Sequence, residues 1–551
     1  MFDVWAPHAE DVALLLFTDP TGAPSVHPMQ PSPDGVWRAE VDAPCGTQYL
    51  FRLRAGTTTW ERKDPRGRQV TNSVGRSVVT ELRPAQRGFT PRPVNEWVIY
   101  ELHPRTFGGT LDGVADRLGY LKDLGITAIE LMPIAEFAGD VSWGYNTAFP
   151  FAVESSYGGP DALHRLVDQC HGLGIAVIVD VVYNHLGPSD LDLWRFDGWS
   201  EGDGGGIYFF NDWRAATPWG ATRPDYGRPE VRQFLIDNAR MWLGEYAVDG
   251  LRLDATNFVR NADGHNGPDR DIADGWAFLQ ELTTTLHDEF PDAVLIAEDL
   301  QQQPLVTTPV DEGGLGFSLQ WAAGFVHPIR ASLTSLDDVT RNLDGVAAAV
   351  ADPDGWRHVV FTESHDEVAN GQTRVPAEID PGDPEAPHAI RRSALGAVLT
   401  MTSPGVPMLF QGQEWADEDW FDDVKPLQWD RAKQRSGIVQ MWRDLIRLRR
   451  EDPRTAGLRG DGVSVEHLAG GVLVVRRWDT APQDAVVVAL NISANDLDAV
   501  DLGLDPDRSW RCVFSSDWSG YHRSGGNTDL DVIAGVSSLP SYAAAILVPV
   551  P

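Results

Sequence analysis

In the stretch VDGLRLDATN, Val248 to Asn257, a cation and a carboxylate stand two residues apart inside an apolar run. Side chains two apart on a strand share a face, so a buried strand here points Arg252 and Asp254 the same way. Two readings fit. One is an internal ion pair, whose net contribution is small because desolvation offsets the attraction. The other is a carboxylate held ionised beside a permanent cation, as a nucleophile must be. Other aliphatic runs end in similar groups: Asp180, Asn184 and His185 close IAVIVDVVYNH, Glu298 closes AVLIAED, and His365 and Asp366 close HVVFTESHD.

These ends matter if the runs are strands that open on one face. From Val98 onward, VIYELHP, AIELMPI, IAVIVDVVYNH, DGLRLDA, AVLIAED, LGFSLQW, HVVFTESHD and VPMLFQGQE alternate with helix-length amphipathic segments. Leu163, Leu166, Val167 and Cys170 recur at helical spacing, as do Val231, Phe234, Leu235 and Trp242. Eight such strands predict an α/β fold, a (β/α)8 TIM barrel over 96–454. A doubly wound open sheet also alternates, but no Gly-rich phosphate turn follows the first strand. Barrel chemistry sits at the C-terminal strand ends, so the polar groups closing those runs converge, whereas structural ion pairs would be scattered. The connection over 186–228 is long and rich in Trp, Gly and Asp, which predicts a functional insertion after strand 3.

The flanks have a different rhythm. DVALLLF, VWRAEVDA and TQYLFRLRA alternate apolar with polar between turn residues, predicting an N-terminal β-sandwich over 1–85. RPAQRGFTPRPVNEW, Arg83 to Trp97, then serves as a linker. GVLVVRRW, AVVVALNI and AAAILVPV predict a C-terminal β-domain over 455–551.

The 551 residues carry a net charge of −35, which argues against nucleic-acid and anionic-membrane partners, since both depend on concentrated Lys and Arg. A neutral ligand meets no such repulsion. Three cysteines, Cys45, Cys170 and Cys512, lie far apart, so neither a disulfide framework nor a zinc cluster is expected. With no signal-like amino terminus and no apolar run long enough to span a bilayer, a cytoplasmic location is expected.

Four ordered motifs resemble those of the α-amylase clan of retaining glycoside hydrolases and glucan transferases: DVVYNH at Asp180 to His185, DGLRLDA at Asp249 to Ala255, IAED at Ile296 to Asp299 and SHDEV at Ser364 to Val368. The resemblance covers the whole barrel. It implies that Asp254 attacks the anomeric carbon, that Glu298 protonates the leaving oxygen and that Asp366 helps distort and hold the sugar. Elementary chemistry agrees, because retention needs one ionised and one protonated carboxyl about 5 to 5.5 Å apart. Arg252 favours the ionised nucleophile, and burial after AVLIA raises the proton affinity of Glu298.

Around them, His185 and His365 are expected to donate to sugar hydroxyls, the alternative for each being a satisfied core histidine. The resemblance stacks Tyr145 of SWGYNTAFPF on the sugar beside the scissile bond; otherwise it packs under its loop. Trp143 offers a further ring. Trp213, Trp219 and Tyr226 in the insertion supply either further subsites or a miniature core, and the surface around Tyr208, Trp213 and Trp219 is expected to hold part of an acceptor glucan. Asp180 and Asn184 shape the site, and in many members the Asn helps hold Ca²⁺. No additional set of oxygen ligands accompanies it, so no metal and no cofactor is expected.

The expected partner is an α-glucan: glycogen, amylose or a maltooligosaccharide. SHDEV resembles glycogen-branching enzymes, as does VFSSDWSGYHRSGG near the end. VIYELHPRTF and DVVYNHLGP equally resemble maltooligosyl-trehalose trehalohydrolase, whose usual Gln after the seventh-strand Asp is Glu367 here. DATN after the nucleophile departs from both. The expectation is 1,4-α-glucan branching, with trehalohydrolase-type hydrolysis as the alternative. A non-catalytic glucan-binding protein is a third reading, opposed by the complete carboxylate set.

Overall fold

The eight aliphatic runs all become barrel strands. In the computed structural model these are β1 Ile99–Leu102, β2 Ala128–Leu131, β3 Ala176–Val181, β4 Gly250–Leu253, β5 Val294–Ala297, β6 Leu319–Trp321, β7 His358–Val360 and β8 Val406–Phe410. They close in sequential order, the pairs β3–β4, β4–β5, β6–β7, β7–β8 and β8–β1 being parallel. Buried on both faces, they need continuous aliphatic runs and not alternating ones, which is how they read in the sequence. The structure describes residues 1–81, 88–352, 354–523, 525–526 and 536–550. The domain boundary expected at residue 85, linker residues 83–87 and Ser524 of the Gly-rich segment lie outside the described residues.

Contacts divide the chain into two compact units. The first comprises 1–91, 103–118 and 130–318. Its N-terminal part is two small antiparallel sheets, one of Phe2–Trp5, Val36–Ala39 and Gln30–Pro31, the other built on Asp11–Phe17 paired with Gln48–Ala55. Leu15, Phe17 and Leu50 form a core there. Within the same unit the helix Gly159–Gly172 buries Leu163, Leu166, Val167 and Cys170, the stripe expected from its periodicity.

The insertion after β3 is fastened to the N-terminal sheets. Lys63 Nζ pairs with Asp192 at 3.1 Å, His8 Nδ1 with Asp197 at 3.0 Å, and Trp60 donates to the Phe196 carbonyl at 2.9 Å. Tyr208 is buried, edge-on to Trp5 at 5.5 Å and to Phe234 at 5.3 Å. Tyr226 is likewise buried, stacked on Phe278 and donating to the Tyr183 carbonyl. Both are the miniature core of the loop, not sugar platforms.

The second unit comprises 92–102, 119–129 and 319–551. Its C-terminal part is a five-stranded antiparallel sheet in the order Gly462–Leu468, Val472–Trp478, Val486–Asn491, Ala544–Pro549, Trp510–Ser515, beside a two-stranded sheet. Val472, Val474, Val487, Leu539 and Leu547 make its core. No helix among the described residues is long and apolar enough to cross a membrane.

Candidate active site

Register explains the first cluster. Asp180 on β3 is directly opposite Arg252 on β4, so both side chains share a face. Arg252 is opposite Ile296 on β5, and two residues further along each strand come Asp254 and Glu298. Alternation returns both carboxyls to the face of the arginine.

The result is a guanidinium, fully buried, serving three carboxylates. Nη1 is 2.6 Å from Asp180 Oδ2 and 3.0 Å from Asp254 Oδ1, and Nη2 is 2.7 Å from Glu298 Oε2. Burial opposes its charge, yet Asp180, Glu298, Tyr145 and Asp254 together hold Arg252 well above its ordinary value. Burial pushes the Asp180 carboxyl up to about 7, against the pull of Arg252. Asp180 also accepts from the Tyr145 hydroxyl at 2.6 Å.

Asp254 is fixed from a second side. Asn184 Nδ2 donates to Asp254 Oδ2 at 2.6 Å and to its carbonyl at 2.9 Å. Because the Asn184 nitrogen is thereby oriented, its oxygen accepts from His185 Nδ1. Burial lowers the His185 pKa, and the ring stacks on Trp219 with centroids 4.6 Å apart and planes 14° apart. His185 therefore presents a neutral ring on an aromatic floor. Both ends of the Asn184 amide are thereby engaged.

The backbone after Asp254 is unusual. Ala255 has φ 41 and ψ 52, a left-handed conformation that L-residues avoid. That twist turns the Ala255 N–H onto Glu298 Oε2 at 2.8 Å, while Thr256 binds the Glu298 carbonyl through both N and Oγ1 at 2.9 Å. Asp299 is clamped by Arg260 at 2.7 Å, so the segment carrying Glu298 is held on both sides. Gly144, with φ 101, sets the turn that delivers Tyr145, and a Cβ there would meet the Pro133 carbonyl at 2.4 Å.

The second cluster lies at the ends of β1 and β7. Glu101 accepts from the His365 backbone N at 3.1 Å and binds its Nδ1, and His365 Nε2 lies 3.6 Å from Asp366 Oδ2. Glu101 is buried, whereas the Asp366 side chain is 46% exposed. The sequence reading missed Glu101; the signal was an acid inside the apolar run VIYEL. Glu367 pairs with Arg330 Nε at 3.3 Å and His327 Nε2 at 3.2 Å.

The family model described as "Alpha amylase, catalytic domain" matches residues 63–194 and 221–456. The chain belongs to the α-amylase family. The unmatched residues between those two spans fall inside the insertion after β3, and a second match, to carbohydrate-binding module 48 (isoamylase N-terminal domain), covers 1–66. This α-amylase-family chain is 29% identical to the 1,4-alpha-glucan branching enzyme GlgB of Corynebacterium diphtheriae, over 100% of its own length and 79% of that protein. It is 30% identical to the malto-oligosyltrehalose trehalohydrolase of Rhizobium sp. (strain M-11), over 92% of its length and 96% of that protein. Its fold is similar to the crystal structure of a putative alpha amylase from Salmonella typhimurium, with TM-score 0.77 and 24% identity over 99% of this chain and 97% of that one. The protein is thus an α-amylase-family, glucan-active enzyme.

Proposed function

We propose that the protein is a 1,4-α-glucan branching enzyme working through a glycosyl-aspartate. Asp254, oriented by Arg252 and Asn184, attacks the anomeric carbon as the bond to the leaving oxygen breaks, and Glu298 gives that oxygen its proton. Glu298, now a carboxylate, removes the proton from a glucan 6-hydroxyl as that oxygen displaces Asp254 and forms the α-1,6 bond. A bound glucan excludes water from these carboxyls. Asp366 holds the distorted sugar, with His365 kept beside it by Glu101. Tyr145 is the ring beside the scissile bond and His185 a hydroxyl ligand.

The observation carrying the choice of branching is Glu367. The acid directly after Asp366 is the branching-enzyme pattern, and here it is an ion-pair partner of Arg330 and His327, a role that the trehalohydrolase Gln cannot fill with charge. The second reading is trehalohydrolase, which VIYELHPRTF and DVVYNHLGP favour.

Amylose decides between them. Branching lowers iodine absorbance and creates α-1,6 signals by NMR with almost no new reducing ends. Trehalose released from maltooligosyl-trehalose, with no α-1,6 signal from amylose, would replace the proposal with the second reading.

A further inference from the structure

A tryptophan left in water forgoes the burial of a large apolar surface, so its position is informative when the loop around it is rigid. Among the described residues, the strongly exposed tryptophans are Trp213, Trp219 and Trp420, at 48%, 43% and 54%. All three stand on connections that leave the C-terminal ends of barrel strands, the first two after β3 and Trp420 after β8. Isolated exposed apolar residues are ordinary. Confinement of the exposed indoles to this kind of loop is not.

The loop bearing Trp420 is heavily fastened. Arg431 reaches Asp417 at 2.5 Å, Glu418 at 3.0 Å and Asp419 at 2.8 Å, and Lys425 reaches Asp419 at 2.7 Å. On one side of Trp420 the Asp419 carbonyl accepts from Arg374 at 3.0 Å. On the other, Phe421 N donates to the Val368 carbonyl at 2.8 Å, and the Phe421 ring is buried edge-on to Phe410 at 5.3 Å. Both neighbours are therefore tied down, and the indole between them projects outward. Val368 is two residues beyond Asp366, so the same bond joins the loop to the segment carrying that carboxylate.

We propose that Trp420 is a platform on which an α-glucan chain stacks, an outlying subsite beside Asp366. The apolar C–H face of a pyranose fits a flat indole, and a neutral ligand suits a chain of net charge −35. Rigidity lowers the ordering cost of binding, because the ring is already held. The proposal rests on the glucan-active reading above and not on the choice of branching.

Binding tests it independently of which reaction follows. Full-length Asp254→Asn protein is titrated calorimetrically with maltoheptaose, alone and combined with Trp420→Ala or Trp420→Phe. The expected result is about tenfold weaker binding with alanine and a change within about twofold with phenylalanine, which keeps a flat ring. Equal affinity for the parent and the alanine variant, at unchanged melting temperature, overturns the platform while leaving the glucan reading intact. Failure of the parent itself to bind maltoheptaose removes both. If the alanine variant does not fold, weakened binding by a folded Trp420→Ser still supports the platform, and unchanged binding overturns it.

Discussion

Arg252 Nη2 lies 2.7 Å from Glu298 Oε2, so the cation expected to serve Asp254 is shared with Glu298. Replacing Arg252 with Met is expected to cut kcat/KM on amylose by about a hundredfold or more, because one substitution leaves both carboxyls without the cation that positions them. Initial rates and thermal melts check this, and near-normal kcat/KM in a folded variant would show that the shared contact has no part in the working enzyme.

Asp254→Asn and Glu298→Gln are each expected to cut turnover of amylose by about a thousandfold or more while leaving folding intact, since each amide keeps the volume and removes nucleophile or proton. Initial rates and thermal melts on the same preparations check this. Near-normal turnover in either variant would remove it from the mechanism.

The left-handed backbone at Ala255 is a local strain that orients Asp254 and turns an N–H onto Glu298. Ala255→Gly is expected to raise the unfolding free energy by up to about 1 kcal/mol, as glycine carries no Cβ penalty there. Ala255→Val is expected to lower it. Urea titrations distinguish the two signs, and destabilisation by glycine would contradict strain as the cause.

Glu414 gives a pH prediction away from the reaction. It is buried, accepting from the Tyr100 and Tyr120 hydroxyls at 3.0 and 2.9 Å, and burial raises its pKa from 4.5 to about 7. The folded chain keeps this proton where the unfolded chain has lost it. Its contribution is therefore fully present below the unfolded value and declines as pH rises toward the folded one. Glu414→Gln is expected to lose less stability than the parent between about pH 4.5 and pH 7. Identical losses, measured by chemical denaturation, would refute a retained proton.

Much of this protein was legible in its sequence. Eight aliphatic runs specified eight strands, because a strand covered on both faces has no alternative to a continuous apolar run. The polar residues closing those runs named Asp180, Asn184, Arg252, Asp254, Glu298, His365 and Asp366, since a side chain's face follows from position along a strand. Partnership did not follow. That Arg252 reaches three carboxylates depends on the register between neighbouring strands, and that His365 binds Glu101 depends on which strand ends meet, neither of which is written in local spacing. The insertion shows the same limit. Its aromatics are alike in sequence, but packing buried Tyr208 and Tyr226 and left Trp213 and Trp219 exposed, because burial is set by distant residues such as Trp5, Phe234 and Phe278. One-dimensional pattern determined which polar residues close the barrel strands, and three-dimensional contact decided what each of them touches.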